Sequence, residues 1–170
     1  MNIFYGGAIQ GSTDRKQGAY IHQYIISILK SCGCTIYTEH TSGETYEEAI
    51  EKLEASIGPL PEKGLARRIY VRDKMIEAIE GDIDACLFEV STPSLGTGIE
   101  IAHAYLRPRM GLSSIPVIAL YQKDFWPNKL STMIQGITKE KVPHFSLFEY
   151  EHKKDLPRLL QDLIQSLSDE

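Results

Sequence analysis

Apolar residues fall along this chain in two kinds of block: short, nearly continuous runs, and longer stretches in which they recur every three or four positions. The short runs lie at 2–5, 34–38, 85–90, 115–121 and 145–150 and have the length and residue types of buried strands. The longer blocks read as helices. Ile21, Tyr24, Ile25, Ile28 and Leu29 fall at i, i+3, i+4, i+7 and i+8 in a helix over about 15–31, and Gly33 would end it. Residues 45–57 form a polar amphipathic pattern, and 65–80 another, with Leu65, Ile69, Ile76 and Ile79 as its stripe. A further helical pattern opens at Ile99 and stops near Leu106, before Pro108. Residues 130–136 suit a short helical turn. The segment 154–167 is a closing helix striped by Leu156, Leu159, Leu160, Leu163, Ile164 and Leu167. Gly58, Pro59, Pro61 and Gly64 mark the clearest break, a connector rather than a lid.

Strands alternating with helices predict a parallel sheet covered on both faces, a doubly wound α/β fold. Five strands fit the flavodoxin-like (Rossmann-like) order, with the first and third strands adjacent, in one domain over 1–170. A small-residue loop follows each of these two strands. The first is Gly6-Gly7-Ala8-Ile9-Gln10-Gly11-Ser12, and the second is Ser94-Leu95-Gly96-Thr97-Gly98 after Pro93. In such sheets ligands sit beyond the carboxyl ends of the strands, at the point where the strand order reverses. The two loops would meet there. The first is neither G-x-G-x-x-G nor a Walker loop, which speaks against a dinucleotide or ATP.

The chain has 170 residues, 42% hydrophobic and 24% charged, with a net charge of −5. That balance suits a globular protein and disfavours a nucleic-acid polymer, which wants a basic surface. No run approaches the roughly 18 apolar residues of a membrane span. Cys32, Cys34 and Cys86 have no zinc or thioredoxin spacing; an odd count with no secretory signal points to a reducing cytoplasm.

Candidate chemistry gathers around the two loops. Glu100 follows the second; a carboxylate there either favours a helix dipole or faces into a cleft, and the flanking Gly-x-Gly and Ile99-Ile101-Ala102 favour the cleft. Asp73 borders the stripe of its helix, so it needs a partner or a task; the neighbouring Arg72 is adjacent in a helix and would not face it. His40 reads as a solvated loop histidine sooner than as a ligand contact, and Tyr20 equally as packing or a contact. Glu100 and His103 have E-x-x-H spacing, but no second pair exists, so His103 reads as structural. Phe125-Trp126-Pro127 reads as a packing loop. No Ser-His-Asp elbow, cysteine nucleophile or metal cluster competes. A carboxylate nucleophile in a sugar-sized pocket suits a retaining glycosidic mechanism.

Five pieces occur in order: Phe4-Tyr5-Gly6-Gly7-Ala8-Ile9-Gln10-Gly11; Thr38-Glu39-His40; Arg72-Asp73; Phe88-Glu89-Val90 with Pro93-Ser94-Leu95-Gly96-Thr97-Gly98-Ile99-Glu100; and Leu130-Ser131-Thr132-Met133-Ile134-Gln135-Gly136. Together they resemble the nucleoside 2-deoxyribosyltransferase superfamily, and within it the 2'-deoxynucleoside 5'-phosphate N-hydrolases. The resemblance spans about 3–150. It implies Glu100 as the nucleophile that attacks the anomeric carbon, with Asp73 orienting the sugar or assisting base departure. It also implies a substrate pocket of Tyr5, Gly6, Gly7, Ala8, Ile9, Gln10, Gly11, Tyr20, His40, Ser94, Gly96, Gly98, Ser131 and Met133. Ser94 would donate to a phosphate, and Ser131 would reach it from the other subunit of a homodimer. No metal or organic cofactor is implied.

The chain departs from that pattern at Ala8, where Ser is usual, and at Gln10, where Arg is usual. Losing a charge-assisted donor would cost on the order of 1.5–3 kcal/mol, which gives a nucleoside substrate weight against a monophosphate. Phe4 stands at a position that is often Tyr. About three extra residues around Glu80-Gly81-Asp82 separate Asp73 from the next strand, and 41–64 matches poorly. Three functions stand at this point: an N-glycosidase of deoxynucleoside 5'-monophosphates, a transferase exchanging bases between deoxynucleosides, and a non-catalytic nucleotide-sensing module.

Overall fold

A computed structural model describes residues 1–9, 15–125 and 129–169 of the chain, the side chains of Arg15 and Gln17 excepted. Strands β1 (Asn2–Gly7), β2 (Thr35–Ile36), β3 (Ala85–Glu89), β4 (Val117–Gln122) and β5 (Phe145–Tyr150) form one sheet. All its pairings are parallel, and its order is β2-β1-β3-β4-β5, the flavodoxin-like order that the alternation predicts. Every residue of β3 is buried, because helices cover both faces. Ile3, Tyr5, Leu87, Ile118 and Leu120 turn to the face shared by α1 (Arg15–Ser31) and α6 (Leu156–Ser168). Their neighbours Phe4, Cys86, Phe88, Val117 and Ala119 turn to α2 (Tyr46–Ile57), α3 (Leu65–Glu80) and α4 (Leu95–Leu106). A single turn, α5 (Thr132–Gln135), precedes β5. Among the described residues, no helix is long and apolar enough to cross a membrane.

Three boundaries differ from the pattern reading, each for a local reason. β2 spans two residues rather than 34–38. Past Ile36 a side chain takes over the ladder: Thr38 Oγ1 accepts from Tyr5 N at 3.0 Å and donates to Tyr5 O. The chain then turns through a 3-10 segment at His40–Ser42. α4 starts at Leu95, not Ile99, because Ser94 caps it by accepting from Thr97 N. Glu100 therefore sits in the second turn, beyond the first-turn position that the dipole reading needs. In α3 the core contacts come from Met75, Ile76, Ala78 and Ile79, while Leu65 and Ile69 are exposed. The stripe continues along the helix past the end of the protein's own core.

The C-terminal ends of α3 and α4 are tied together. The buried Arg107 guanidinium donates to Ile79 O, to Gly81 O at 3.2 Å and to Ser113 O at 3.0 Å. His103 Nδ1 lies 3.1 Å from Glu80 Oε1, so the E-x-x-H histidine is a structural contact between the two helices.

Candidate active site

β1 and β3 end side by side, and α4 rises from the turn after β3. A pocket of about 240 Å³ opens between them at the carboxyl edge of the sheet. Its floor is Tyr5, Gly6 and Gly7, with Ile9 at the loop above. Ser94, Gly96, Thr97 and Glu100 of α4 form one wall, and His40 and Thr41 the other.

Glu100 is the only carboxylate lining this pocket among the described residues. Its place depends on Gly6. A Cβ at Gly6 would come within 2.9 Å of Glu100 Oε2 and 2.6 Å of the Phe88 ring. Burial pushes the Glu100 carboxyl up to about 7, and no cation pairs with it among the described residues. Ser94 Oγ accepts from Thr97 N, which leaves its own O–H free to donate to a ligand at the helix N-terminus.

The glycine loop is wired from beneath by a residue that pattern reading passed over. His22 is buried against Gly7, where a Cβ would meet its Cε1 at 2.4 Å. Tyr5 Oη lies 2.7 Å from His22 Nδ1, and His22 Nε2 lies 3.2 Å from Ala8 O. Because the Ala8 carbonyl only accepts, Nε2 carries the proton, and Tyr5 O–H donates to Nδ1. Burial lowers the His22 pKa and raises that of Tyr5, so both stay neutral and the relay keeps one direction. The signal was present in the sequence: His22 falls on the apolar stripe of α1, three, four and seven residues before Ile25, Ile26 and Leu29.

The opposite wall is arranged differently. His40 is held neutral, its pKa lowered to about 4 by burial and then by the nearby His22. His40 Nδ1 and Thr41 Oγ1 are buried with no hydrogen-bond partner among the described residues. Thr41 and Thr97 are pocket residues that the sequence reading did not single out.

The remaining expected site residues fall elsewhere. Ala8 is buried and contributes its carbonyl to His22. Gln10 and Gly11 lie outside the described residues, as do Trp126 and Pro127. Tyr20 is exposed, stacked on Tyr24 at 6.4 Å between ring centres, with Lys153 Nζ 4.4 Å from its own ring centre. It is two residues from His22, about 200° around the helix, and so faces away from the pocket. Gly98, Ser131 and Met133 line a second, apolar groove of about 530 Å³ between α4 and α5. That groove shares Ser94 and Thr97 with the first pocket. Leu95 and Met133 stand on it 92% and 80% exposed.

Asp73 does not join Glu100. It borders a shallow groove with Pro61, Ile69, Tyr70 and Glu77, and its Oδ1 lies 2.8 Å from Arg72 Nη1. The long guanidinium reaches back around the helix to its neighbour, a contact that adjacent positions do not suggest. Among the described residues no group of three or more His, Cys, Asp or Glu could hold a metal ion.

The arrangement offers one half-buried, partly protonated carboxylate beside a backbone that a ligand can approach closely, with hydroxyls and a helix N-terminus a few residues away. These are the parts of a carboxylate-nucleophile site for a small polar molecule. No family model matches the chain. Curated relatives do. A protein of Thermofilum pendens provisionally named 2'-deoxynucleoside 5'-phosphate N-hydrolase 1 is 31% identical over 150 residues, 88% of this chain and 85% of the relative. Its namesake in Nematostella vectensis is 30% identical over 166 residues, 97% of this chain and 95% of the relative. The 5-hydroxymethyl-dUMP N-hydrolase of Danio rerio is 27% identical over 168 residues, 99% of each chain. At 30–31% identity over 85% or more of both chains, the chain belongs to the 2'-deoxynucleoside 5'-phosphate N-hydrolase family.

Proposed function

We propose that this protein is an N-glycosidase that cleaves the base–sugar bond of 2'-deoxynucleoside 5'-monophosphates. The observation that carries the reading is Glu100: a half-buried carboxylate with no ion-pair partner among the described residues, held against Gly6 at the switch point of the sheet. The names of the relatives supply the substrate class.

In this reading the ionised Glu100 carboxylate attacks the anomeric carbon. The C1'–N bond breaks, and its electron pair leaves with the base, which takes a proton from water. A glycosyl ester on Glu100 remains. A second water attacks the same carbon and gives up a proton to the hydroxide left by the first, the ester oxygen leaves with its pair, and the carboxylate is restored as deoxyribose 5-phosphate departs. Gly6 and Gly7 let the sugar lie along the backbone. The Ser94 hydroxyl and the α4 N-terminus receive the phosphate. The reading needs only one carboxylate; Asp73, in its separate groove, takes no direct part.

The functional unit is a homodimer. The α4–α5 groove exposes Leu95, Ile99 and Met133 beside the pocket it shares two residues with, which supports a second copy covering it and bringing Ser131 near the partner's site.

The test is base release. Deoxynucleosides and their 5'-monophosphates, 5-hydroxymethyl-dUMP included, are incubated with the protein, with and without a second free base, and the products separated by chromatography. Free base from monophosphates, lost in Glu100→Ala, is the expected result. Exchange seen only with a second base would make the protein a transferase. Binding without release from any substrate would reduce it to a sensing module.

A further inference from the structure

The wall opposite Glu100 carries two buried polar atoms with no hydrogen-bond partner among the described residues, His40 Nδ1 and Thr41 Oγ1. Buried polar groups in a folded chain are nearly always paired, so two neighbouring exceptions on one pocket wall call for a partner that the described residues do not supply. They do not belong to a slack loop. On one side Thr38 is bonded to the Tyr5 backbone through both N–H and C=O. On the other, Ser42 Oγ donates to Glu39 O at 2.6 Å, Lys52 Nζ donates to Ser42 Oγ at 2.8 Å, and Gln23 Nε2 donates to Ser42 O at 3.0 Å. Glu39 is paired with Lys30 at 2.6 Å. Beneath the glycine loop His22 uses both ring nitrogens. The 3-10 turn is fastened at each end, yet the two residues between the fastenings line the pocket with these polar atoms unpaired among the described residues.

The topology says which part of a ligand meets them. The 3-10 turn follows β2, on one flank of β1; α4 follows β3, on the other flank. Glu100 and Ser94 occupy the α4 side. With the anomeric carbon at Glu100 and the phosphate at the α4 N-terminus, the group left to extend towards β2 is the base. We infer that Thr41, together with His40, is a specificity-determining residue that reads a polar edge of the nucleobase, one presenting an adjacent hydrogen-bond donor and acceptor. This rests on the glycosidase reading of the Glu100 pocket. A hydroxyl donates and accepts, and a neutral imidazole nitrogen does one or the other according to its tautomer, so the pair complements such an edge without carrying charge. A shape-only pocket would leave both atoms unpaired and discriminate weakly; a hydrogen-bonding wall rejects a base without the matching edge.

Thr41→Val removes the hydroxyl at nearly constant volume, and Thr41→Ser keeps it. The expected result is that Thr41→Val lowers kcat/KM for a deoxynucleoside monophosphate by about tenfold or more. The same variant should leave inhibition by deoxyribose 5-phosphate, which has no base, within about twofold of wild type, and Thr41→Ser should restore turnover. Equal kcat/KM in Thr41→Val and wild type on every base overturns the inference. So does an equal loss of deoxyribose 5-phosphate affinity, which would mark Thr41 as structural. Wild type that releases no base from any substrate defeats the glycosidase reading instead, and calorimetry with the same monophosphates then decides. Binding weakened in Thr41→Val and kept in Thr41→Ser upholds the base contact; equal binding, or none by wild type, overturns it.

Discussion

Two neighbouring helices each present one carboxylate that the sequence brings forward, and the protein treats them in opposite ways. Glu100, in the second turn of α4, is half-buried beside a glycine backbone with no ion-pair partner among the described residues, and its loss of solvent lifts its pKa to about 7. Asp73, midway along α3, is half-exposed and closed by Arg72 at 2.8 Å. An exposed pair of that kind contributes about 0–1 kcal/mol and has little left to offer a substrate. A buried carboxylate without a partner is costly to the fold, and a chain keeps one where the charge is used on something else. The difference between the two lies in their surroundings, because both are helical acids.

The largest expected effect separates them directly. Glu100→Ala should reduce base release on the order of a thousandfold or more, since the covalent step loses its nucleophile. Asp73→Asn should stay within about threefold of wild type, with stability changed by less than about 1 kcal/mol. Chromatographic assay of both variants on one monophosphate checks this. A collapse of turnover in Asp73→Asn would mean that α3 brings its carboxylate to the site during the reaction, and the contrast would fail.

The elevated carboxyl makes two further measurements possible. Attack requires the ionised form, so kcat/KM should climb with pH up to about 7 and level off above it. Stability should move the other way. The folded pKa, about 7, lies above the unfolded value near 4.5, so the folded protein binds more protons between these pH values and loses stability as pH rises through the window. Above about pH 7 the full penalty, about 3 kcal/mol, is present; below about pH 4.5 it is absent. Glu100→Gln should therefore raise the denaturation midpoint over wild type at pH 8, and the gain should vanish towards pH 4.5. A gain independent of pH would show that the variant acts through packing rather than charge.

How much of this was legible in the chain depends on what each residue's signal encodes. The strand at 85–89, the break at Pro93 and the glycines before Glu100 are local features, and in the structure Ser94, Gly96, Thr97 and Glu100 line one side of a pocket. The strand order followed from alternation and the handedness of crossovers. Periodicity, by contrast, shows which face of a helix is apolar and not what covers it. That is why Leu65 and Ile69 belong to the stripe and yet stand exposed, and why the pattern does not tell which groove Asp73 borders. The same limit makes the second strand read longer than it is, because the Thr38 side chain replaces ladder bonds that only a neighbouring strand reveals. Thr41 carries no sequence signal at all; its interest comes from being buried without a partner in a three-residue turn. His22 did carry one, since a histidine on an apolar stripe needs partners wherever it is buried.

His22 supplies the smallest expected effect and the sharpest test of why Glu100 sits where it does. The carboxylate lies against Gly6, and the next residues of that loop, Gly7 and Ala8, are fastened by His22 through contact and a 3.2 Å hydrogen bond. His22→Phe keeps a ring against Gly7 but leaves Tyr5 O–H and Ala8 O without their partner. Two neutral hydrogen bonds at about 1 kcal/mol each allow roughly a tenfold effect. If the relay positions the glycine loop on the sugar, the loss should appear mainly in KM, because the loop binds ground state and transition state alike while Glu100 still attacks. The pH profile should keep its rise towards about 7, since that rise belongs to Glu100. Should His22→Phe instead shift the profile towards the ordinary carboxylate range, the loop would be what keeps water from Glu100. The burial that distinguishes it from Asp73 would then be the work of β1 and α1 as much as of α4.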